Sequence, residues 1–356
     1  MFAAGYFTKA CGVAVAAWLV LVTGVEPVTA QQEDNVLHLL CWSEYVPKAV
    51  LDDFTLKHKA HVEVQEYNSN EEMLEKLHAK PGYYDLIQPS GFYVETLARD
   101  GGLEKLDHTR IPNLKNLDEK FRRPTYDPEE QFSAPWMAGT VGIVVNTRRV
   151  RETIKTWADV FSGKYAKHIV VVDDPREMVT WALASQNLPI TDVSDAALDQ
   201  AKPILEKWLP QVRVFDSNNP KAAMLDGRAW IGIMWSGEAA LLWMKDKRYQ
   251  YILPEEGAHM FVDSLAIPKG APHKALAEDF INDCLDPDVS VLISNAYPYT
   301  NPNAGARRLL SRNQKSNPAS YPAGDPQLPS LRNEGNTTAT VAEFIKGVRA
   351  GLKPGS

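Results

Sequence analysis

Apolar and polar positions follow two different periods along this chain. Short runs in which apolar residues alternate with polar ones, or follow one another directly, predict β-strands at residues 36–40, 61–66, 85–88, 141–146, 168–173, 212–215, 230–234, 249–253 and 264–267. Longer stretches with apolar residues three and four positions apart predict helices at residues 46–58, 71–79, 175–186, 194–208 and 274–284. Because strands and helices alternate, the pattern predicts an α/β protein with a largely parallel sheet.

Residues 1–30 have the pattern of a secretory signal. Lys9 precedes an apolar run at 12–22, and Val28-Thr29-Ala30 stands before a polar stretch, which predicts cleavage after Ala30. The apolar run is shorter than a bilayer span, and Cys11 precedes it instead of following a lipobox. We therefore expect an exported, soluble protein located in the periplasm.

The remaining length suits two domains of ordinary size. A segment at 311–329, rich in Pro, Ser and Asn, predicts a surface excursion before a last helix at 340–350.

Charge and motifs exclude several classes of function. The net charge of -7 argues against nucleic acid as a partner and permits a cationic one. No P-loop, dinucleotide fingerprint or hydrolase motif occurs. The scattered histidines have no ligand spacing, so we predict no metal site and no cofactor, with His38 and His61 facing solvent. Cys41 and Cys284 are expected to be buried thiols, with a disulfide as the alternative.

Aromatic and acidic side chains recur at the ends of the predicted strands. Ligands of open α/β sheets gather at the carboxyl ends of the strands, so these residues are candidates for a binding site. They are Trp42, Ser43 and Tyr45, then Ser90 and Phe92, then Asp174 and Glu177, then Trp235 and Glu238, and last Phe261 and Asp263. Lys and Arg are nearly absent from these positions.

Such a set suits an elongated cation with an apolar middle. Aromatic faces attract ammonium groups by about 0.5 to 2 kcal/mol each and cover methylene groups. Carboxylates supply charge-assisted hydrogen bonds to the ammonium hydrogens. An anionic ligand would require Arg or Lys at the same turns.

Most of these residues also have an ordinary structural explanation. Asp174 and Glu177 fit a helix start with a capping box. Ser43, Ser90 and Ser236 are good helix N-caps, and Trp42 and Trp235 could belong to the core. Asp263 is harder to explain in this way, because a carboxylate in a strand-like run must be paired or serve a ligand.

Several motifs together resemble the periplasmic spermidine/putrescine-binding proteins of polyamine ABC importers. The segments that carry the resemblance are 41–47 (CWSEYVP), 84–90 (YDLIQPS), 173–177 (DDPRE), 232–237 (GIMWSG) and 263–268 (DSLAIP). The resemblance implies a two-lobed type II binding-protein fold that closes on its ligand by a hinge. It places the crossings near 138–141 and 260–263. Lobe 1 would then comprise 31–138 and 264–300, and lobe 2 would comprise 139–263 and 301–356.

The resemblance also implies roles for the candidate residues. Trp42, Ser43 and Tyr45 would form a wall in the first lobe with Ser90 and Phe92, while Glu177, Trp235 and Asp263 would be the central ligands. Tyr299 would be a further contact of the putrescine type.

The resemblance further indicates which polyamine the site would select. Phe261 and Glu238 favour putrescine over spermidine, whereas Asp174 matches a spermidine-type acid. The implied partners are the polyamine and a membrane permease, and we expect a monomer without enzymatic activity.

Two other functions fit the same residues less well. A secreted glycosidase would use two of Glu177, Glu238 and Asp263 as acid and nucleophile. A receptor for a quaternary amine would use the aromatic residues as a cage.

Overall fold

The computed structural model describes residues 35–43, 45–324, 328 and 337–352, together with Met1. The chain divides into Met1–Asn35 and Val36–Ser356, and the strands and helices named below all lie in the second unit. The predicted secretory signal and its cleavage site lie outside the described residues. None of the helices in the described part of the chain is long and apolar enough to cross a bilayer.

Strands and helices alternate through most of the chain. The strands are β1 (Val36–Trp42), β2 (His61–Tyr67), β3 (Leu86–Ile87), β4 (Ser133–Asn146), β5 (Ile169–Val171), β6 (Val212–Phe215), β7 (Ile231–Trp235), β8 (Tyr249–Ile252) and β9 (Met260–Ala266). The helices are α1 (Lys48–His58), α2 (Asn70–Ala79), α3 (Gly91–Arg99), α4 (Trp157–Val160), α5 (Pro175–Ala184), α6 (Asp195–Trp208), α7 (Lys221–Leu225), α8 (Ser236–Lys245), α9 (Lys274–Cys284), α10 (Pro287–Ala296), α11 (Ala304–Leu309), α12 (Arg312–Lys315) and α13 (Thr337–Gly351). The predicted α/β class is confirmed.

The sheet is mixed, which corrects the prediction that it is largely parallel. Its strand order is β2-β1-β3-β9-β4-β7-β5-β6, and β8 also pairs with β4. The outer pairs are parallel, as in β1 with β2 and β5 with β7. The central strands β4 and β9 are antiparallel to each other and to their neighbours.

Strand β4 joins two hydrophobic cores. Its first half pairs with β9, and its second half pairs with β7 and β8. One core surrounds β1 and includes Phe54 and Phe280, and another surrounds β5 and β7 and includes Trp157 and Trp181. Because all 14 residues of β4 are buried, its sequence lacks the alternation that reveals a half-exposed strand. The sequence therefore predicted only its second half.

The two central strands approach closely at Gly139. A Cβ atom at this position would lie 2.4 Å from Cζ of Phe261 in β9. Only glycine leaves room for the aromatic ring there. This contact lies within the segments where the resemblance places the chain crossings.

The polar segment at 311–329 is not entirely a surface excursion. Asn317 donates from Nδ2 to the main-chain oxygen of Ala240 at 3.2 Å, and Ala319 packs in the core around β7. Ser320 is also buried and donates to the main-chain oxygen of Pro298. The polar composition hid these contacts, because the side chains satisfy main-chain groups instead of water.

The predicted lobe boundaries stay a prediction. Asn301 still bonds to Ser290 of α10, donating from Nδ2 to its main-chain oxygen at 3.1 Å. Asn301 is thus bound to α10, whereas Asn317 bonds to Ala240 of α8, which packs in the core around β7.

Both cysteines of the described part are free and buried, as predicted. Burial raises the pKa of Cys41 to about 12 and that of Cys284 well above its ordinary value. The disulfide alternative is therefore wrong.

We expect Gly139→Ala to lower the free energy of unfolding by about 1 to 3 kcal/mol, because the added methyl group must displace the Phe261 ring. Gly347→Ala is the matched control, since its Cβ would meet nothing within 4 Å and the residue lies in α13. That control should be neutral or stabilise by up to about 1 kcal/mol. Urea unfolding of both variants checks this, and equal effects would contradict the close approach.

Candidate ligand-binding site

The carboxylate of Asp263 lies at the centre of the candidate residues. The side chain is buried, at 3% exposure, in the middle of β9. The Tyr45 hydroxyl donates to its Oδ2 at 2.9 Å, and the Ser90 hydroxyl donates to its Oδ1 at 2.7 Å. Ser90 stands at the N-terminus of α3 but makes no side-chain cap. Its hydroxyl therefore serves Asp263 and not the helix.

Burial leaves the charge of Asp263 poorly compensated. Desolvation raises the pKa of this carboxyl to about 6, although the hydrogen bonds from Ser90 and Tyr45 act in the opposite direction. Burial also raises the pKa of Tyr45 well above its ordinary value, so this hydroxyl keeps its proton. A carboxylate held by neutral hydroxyls attracts a cation.

Aromatic rings form a continuous wall beside Asp263. Phe261 meets Trp235 edge-on at 5.6 Å and Tyr299 at 5.9 Å between ring centroids. Tyr299 lies 5.6 Å from Tyr45, which completes the path to the carboxylate. Gly237 permits the approach of Tyr299, because a Cβ there would lie 2.4 Å from the ring.

Trp42 is held in place by hydrogen bonding as well as by packing. Its indole Nε1 donates to the main-chain oxygen of Gln88 at 2.9 Å, and its ring lies 4.7 Å from that of Tyr67. The Tyr67 hydroxyl donates to the same oxygen at 2.5 Å. Trp42 packs against the first core and is also partly exposed, at 6.4 Å from Tyr45. Trp42 is therefore consistent with both predictions from the sequence, a core residue and a residue of the binding site.

Asp174 and Glu177 form a second acidic position. Asp174 is the N-cap of α5 and accepts from the main-chain N–H of Glu177 at 3.0 Å. Burial, and then the neighbouring charge of Glu177, raise the pKa of Asp174 to about 6. The cap and the ligand interpretations coexist, because one oxygen caps the helix while the group stays desolvated.

Glu177 is paired with a histidine that the sequence did not indicate. Its Oε1 lies 2.6 Å from Nε2 of His259, and each side chain is about 4% exposed. Oε2 of Glu177 and Nδ1 of His259 are buried without a hydrogen-bond partner. Two unsatisfied polar atoms in one pair indicate a place where a ligand completes the bonding.

Glu238 already has a cationic partner within the protein. The Lys221 ammonium lies 2.7 Å from its Oε2, and both side chains are largely buried. The near absence of Lys and Arg was predicted for the residues that follow the strands, and this basic residue reaches the acid from another part of the chain. Lys221 begins α7 beyond the loop that follows β6, so a list of residues directly after strands omitted it.

Ser43 and Phe92 lie apart from this group in the described contacts. The Ser43 hydroxyl donates to Oε2 of Glu66 at 2.8 Å. Phe92 packs against Tyr93 at 4.9 Å between centroids. Both positions remain predictions as ligand contacts.

Comparisons with known proteins agree with the resemblance in the sequence. The sequence model of the family described as "Bacterial extracellular solute-binding protein" matches residues 49–323. The chain is 32% identical to a "Spermidine/putrescine-binding periplasmic protein" of Salmonella typhimurium. The alignment covers 93% of this chain and 96% of the relative. The chain is also 28% identical to the "Putrescine-binding periplasmic protein PotF" of Escherichia coli. That alignment covers 83% of this chain and 86% of the relative.

A solved structure shares the fold. It is described as a "Putative spermidine/putrescine ABC transporter from Listeria monocytogenes". It superimposes with a TM-score of 0.84 at 27% identity, covering 88% of this chain and 99% of that chain. The relatives are binding proteins, which does not favour the glycosidase alternative.

We expect Asp263→Asn to stabilise the ligand-free protein. Because the pKa of Asp263 is about 6 in the folded protein against an ordinary 3.8, the folded state holds this proton more tightly than the unfolded state does. The ionised carboxylate therefore lowers the free energy of unfolding, with the full cost above pH 6, a decreasing cost between pH 6 and 4, and none well below pH 4.

Urea unfolding without ligand should accordingly show Asp263→Asn about 1 to 3 kcal/mol more stable than the parent at pH 7.5. At pH 4.5 the difference should fall to about a third of that value, because an ordinary aspartate is still mostly ionised in the unfolded chain at that pH. A variant that is less stable than the parent at both pH values would show that Asp263 is a structural partner and not a strained ligand group.

Proposed function

We propose a function from one premise: the chain belongs to the bacterial extracellular solute-binding proteins, in the group of the spermidine/putrescine-binding periplasmic proteins. On this proposal it captures a linear polyamine in the periplasm and delivers it to an ABC importer. It binds its ligand and performs no chemical reaction on it.

The observation that carries the proposal is the buried carboxylate of Asp263 beside the aromatic wall. A primary ammonium group would bring a positive charge and N–H donors to this carboxylate. In the ligand-free protein its described partners are the neutral hydroxyls of Tyr45 and Ser90. The rings of Trp235, Phe261 and Tyr299 would cover the methylene chain. A quaternary amine has no N–H to donate, so it would add no hydrogen bond from the ligand to those that Tyr45 and Ser90 already give the carboxylate.

A second ammonium group would bind at Asp174 and Glu177. The buried Oε2 of Glu177 has no hydrogen-bond partner, and Asp174 is desolvated beside it. These acids lie in the half of the protein around β5, whereas Tyr45 and Ser90 belong to the half around β1. A diamine that joins the two positions would hold both halves together.

Closure of the two halves follows from this bridging. A ligand shifts a conformational equilibrium only by its difference in affinity for the two states. Contacts from both halves exist only in the closed state, so the polyamine would favour it. We propose that β4 and β9 act as the hinge and that a monomer in the closed form is presented to the permease.

The ion pair between Lys221 and Glu238 supports a preference for putrescine over spermidine. Spermidine carries a third cationic nitrogen, and Glu238 would be its natural partner. Lys221 already neutralises that carboxylate at 2.7 Å. The remaining acidic positions serve two ammonium groups, which matches a diamine.

Calorimetry on protein freed of bound polyamine tests the main proposal. We expect putrescine and spermidine to bind and Asp263→Asn to weaken binding of putrescine by at least about 100-fold, because it removes a charge-assisted contact in a desolvated site. Asp226→Asn is the matched control, since this exposed aspartate bonds to Arg228 at the end of α7. The proposal would be overturned if none of the amines bound to the protein.

Lys221→Met tests the selectivity. Methionine keeps the apolar stem and removes the positive charge that faces the Glu238 carboxylate. We expect the affinity ratio of spermidine to putrescine to rise by about tenfold, equal to about 1.4 kcal/mol. The double variant Lys221→Met with Glu238→Gln should restore the parent ratio. An unchanged ratio in the single variant would mean that Lys221 does not control selectivity.

A further inference from the structure

A second group of titratable side chains lies away from the cleft. It consists of His38 in β1, Asp85 just before β3 and His273 just before α9. The cleft residue Trp42 ends β1 and Ser90 comes after the carboxyl end of β3, whereas His38 and Asp85 lie near the amino ends of these strands. From His38 to Trp42 the strand advances by about 13 Å. The two groups therefore occupy opposite edges of the sheet.

Main-chain hydrogen bonds fix the Asp85 carboxylate between the two histidines. The side chain is fully buried, its Oδ2 accepts from the main-chain N–H of His38 at 2.9 Å, and its Oδ1 accepts from that of His273 at 2.7 Å. Nδ1 of His38 and Nδ1 of His273 lie 3.3 Å and 3.2 Å from Oδ2. The expectation that His38 faces solvent is therefore wrong.

Hydrogen bonding alone explains this arrangement poorly. A carboxylate oxygen offers about two lone-pair directions. Oδ2 already accepts one main-chain N–H, yet two imidazole nitrogens also converge on it. As simple hydrogen bonds, the two rings would compete for the remaining direction. A cation shared by both rings and the carboxylate removes that competition.

The distances match those between ligands of a tetrahedral metal ion. Zinc binds imidazole nitrogen and carboxylate oxygen at about 2.0 to 2.2 Å, which separates neighbouring ligand atoms by about 3.3 to 3.5 Å. The two nitrogen–oxygen distances are 3.3 and 3.2 Å, and the ligand atoms of all three residues lie within 4.8 Å of one another. The histidine side chains are 19% and 24% exposed, which leaves access for the ion and a water ligand.

Neighbouring side chains orient the His38 ring as in a metal site. Its Nε2 lies 3.6 Å from Oε2 of Glu63, which pairs with it across β1 and β2. The ring packs against Tyr83 at 4.3 Å between centroids, and the Tyr83 hydroxyl donates to Glu63 at 3.2 Å. At 3.6 Å the carboxylate does not accept a hydrogen bond, but its charge favours a proton on Nε2, which leaves the Nδ1 lone pair for a metal.

We propose that His38, Asp85 and His273 form a binding site for Zn²⁺ or a similar first-row divalent cation, with water as the remaining ligand. The site joins β1, the start of β3 and the start of α9. It is separate from the cleft proposed for the polyamine.

Metal titration of the tag-free full chain, stripped with a chelator, tests the proposal. We expect one Zn²⁺ ion per chain by calorimetry and, with Co²⁺ as a probe, visible absorption bands of a four-coordinate ion. His38→Gln and His273→Gln should each weaken Zn²⁺ binding by at least about tenfold. His61→Gln is the matched control, because this histidine is exposed in β2 and contributes no ligand.

Circular dichroism and thermal melting without metal verify that each variant folds. Zn²⁺ should also raise the melting temperature of the parent but not of His273→Gln. The proposal would be overturned if neither ion bound to the folded parent. It would also be overturned if all three variants bound Zn²⁺ with the affinity of the parent.

Discussion

The candidate site depends on one desolvated carboxylate, Asp263. A buried charge is costly unless it is paired, and the donors described around Asp263 are neutral hydroxyls of Tyr45 and Ser90. The protein therefore keeps a group whose pKa is raised to about 6 and whose charge a cation would compensate. This cost in the ligand-free state is the source of affinity in our account, since ligand-binding sites are commonly maintained at the expense of stability.

The position of this carboxylate connects ligand binding to the central strands of the sheet. Asp263 lies in β9, which pairs with β4, the strand whose first and second halves belong to different cores. Gly139 and Gly237 let Phe261 and Tyr299 approach without a clash. On our proposal, a ligand held here would contact residues from both halves, and β4 and β9 would couple its capture to closure.

Local sequence patterns were enough to bring Tyr45, Ser90, Trp235 and Asp263 into one set of candidates, because each lies beside a strand whose pattern is visible. The choice of Asp263, Glu177 and Trp235 as the centre came from the resemblance to the polyamine-binding proteins. His259 and Lys221 were missed because their meaning depends on partners 82 and 17 residues away in the chain. The histidines of the second cluster were missed for the same reason, since no short spacing joins residues 38, 85 and 273. The antiparallel centre of the sheet was hidden by the uniform burial of β4.

Titration of the Asp263 carboxyl group shows whether this residue binds the amine. Carbon-13 NMR of the labelled carboxyl group, assigned with Asp263→Asn, measures its pKa with and without putrescine. The account predicts a pKa of about 6 in the ligand-free protein. With putrescine bound, the pKa should fall well below that value, because the ammonium group stabilises the ionised form. A pKa that is the same in both states would contradict the claim that Asp263 binds the amine.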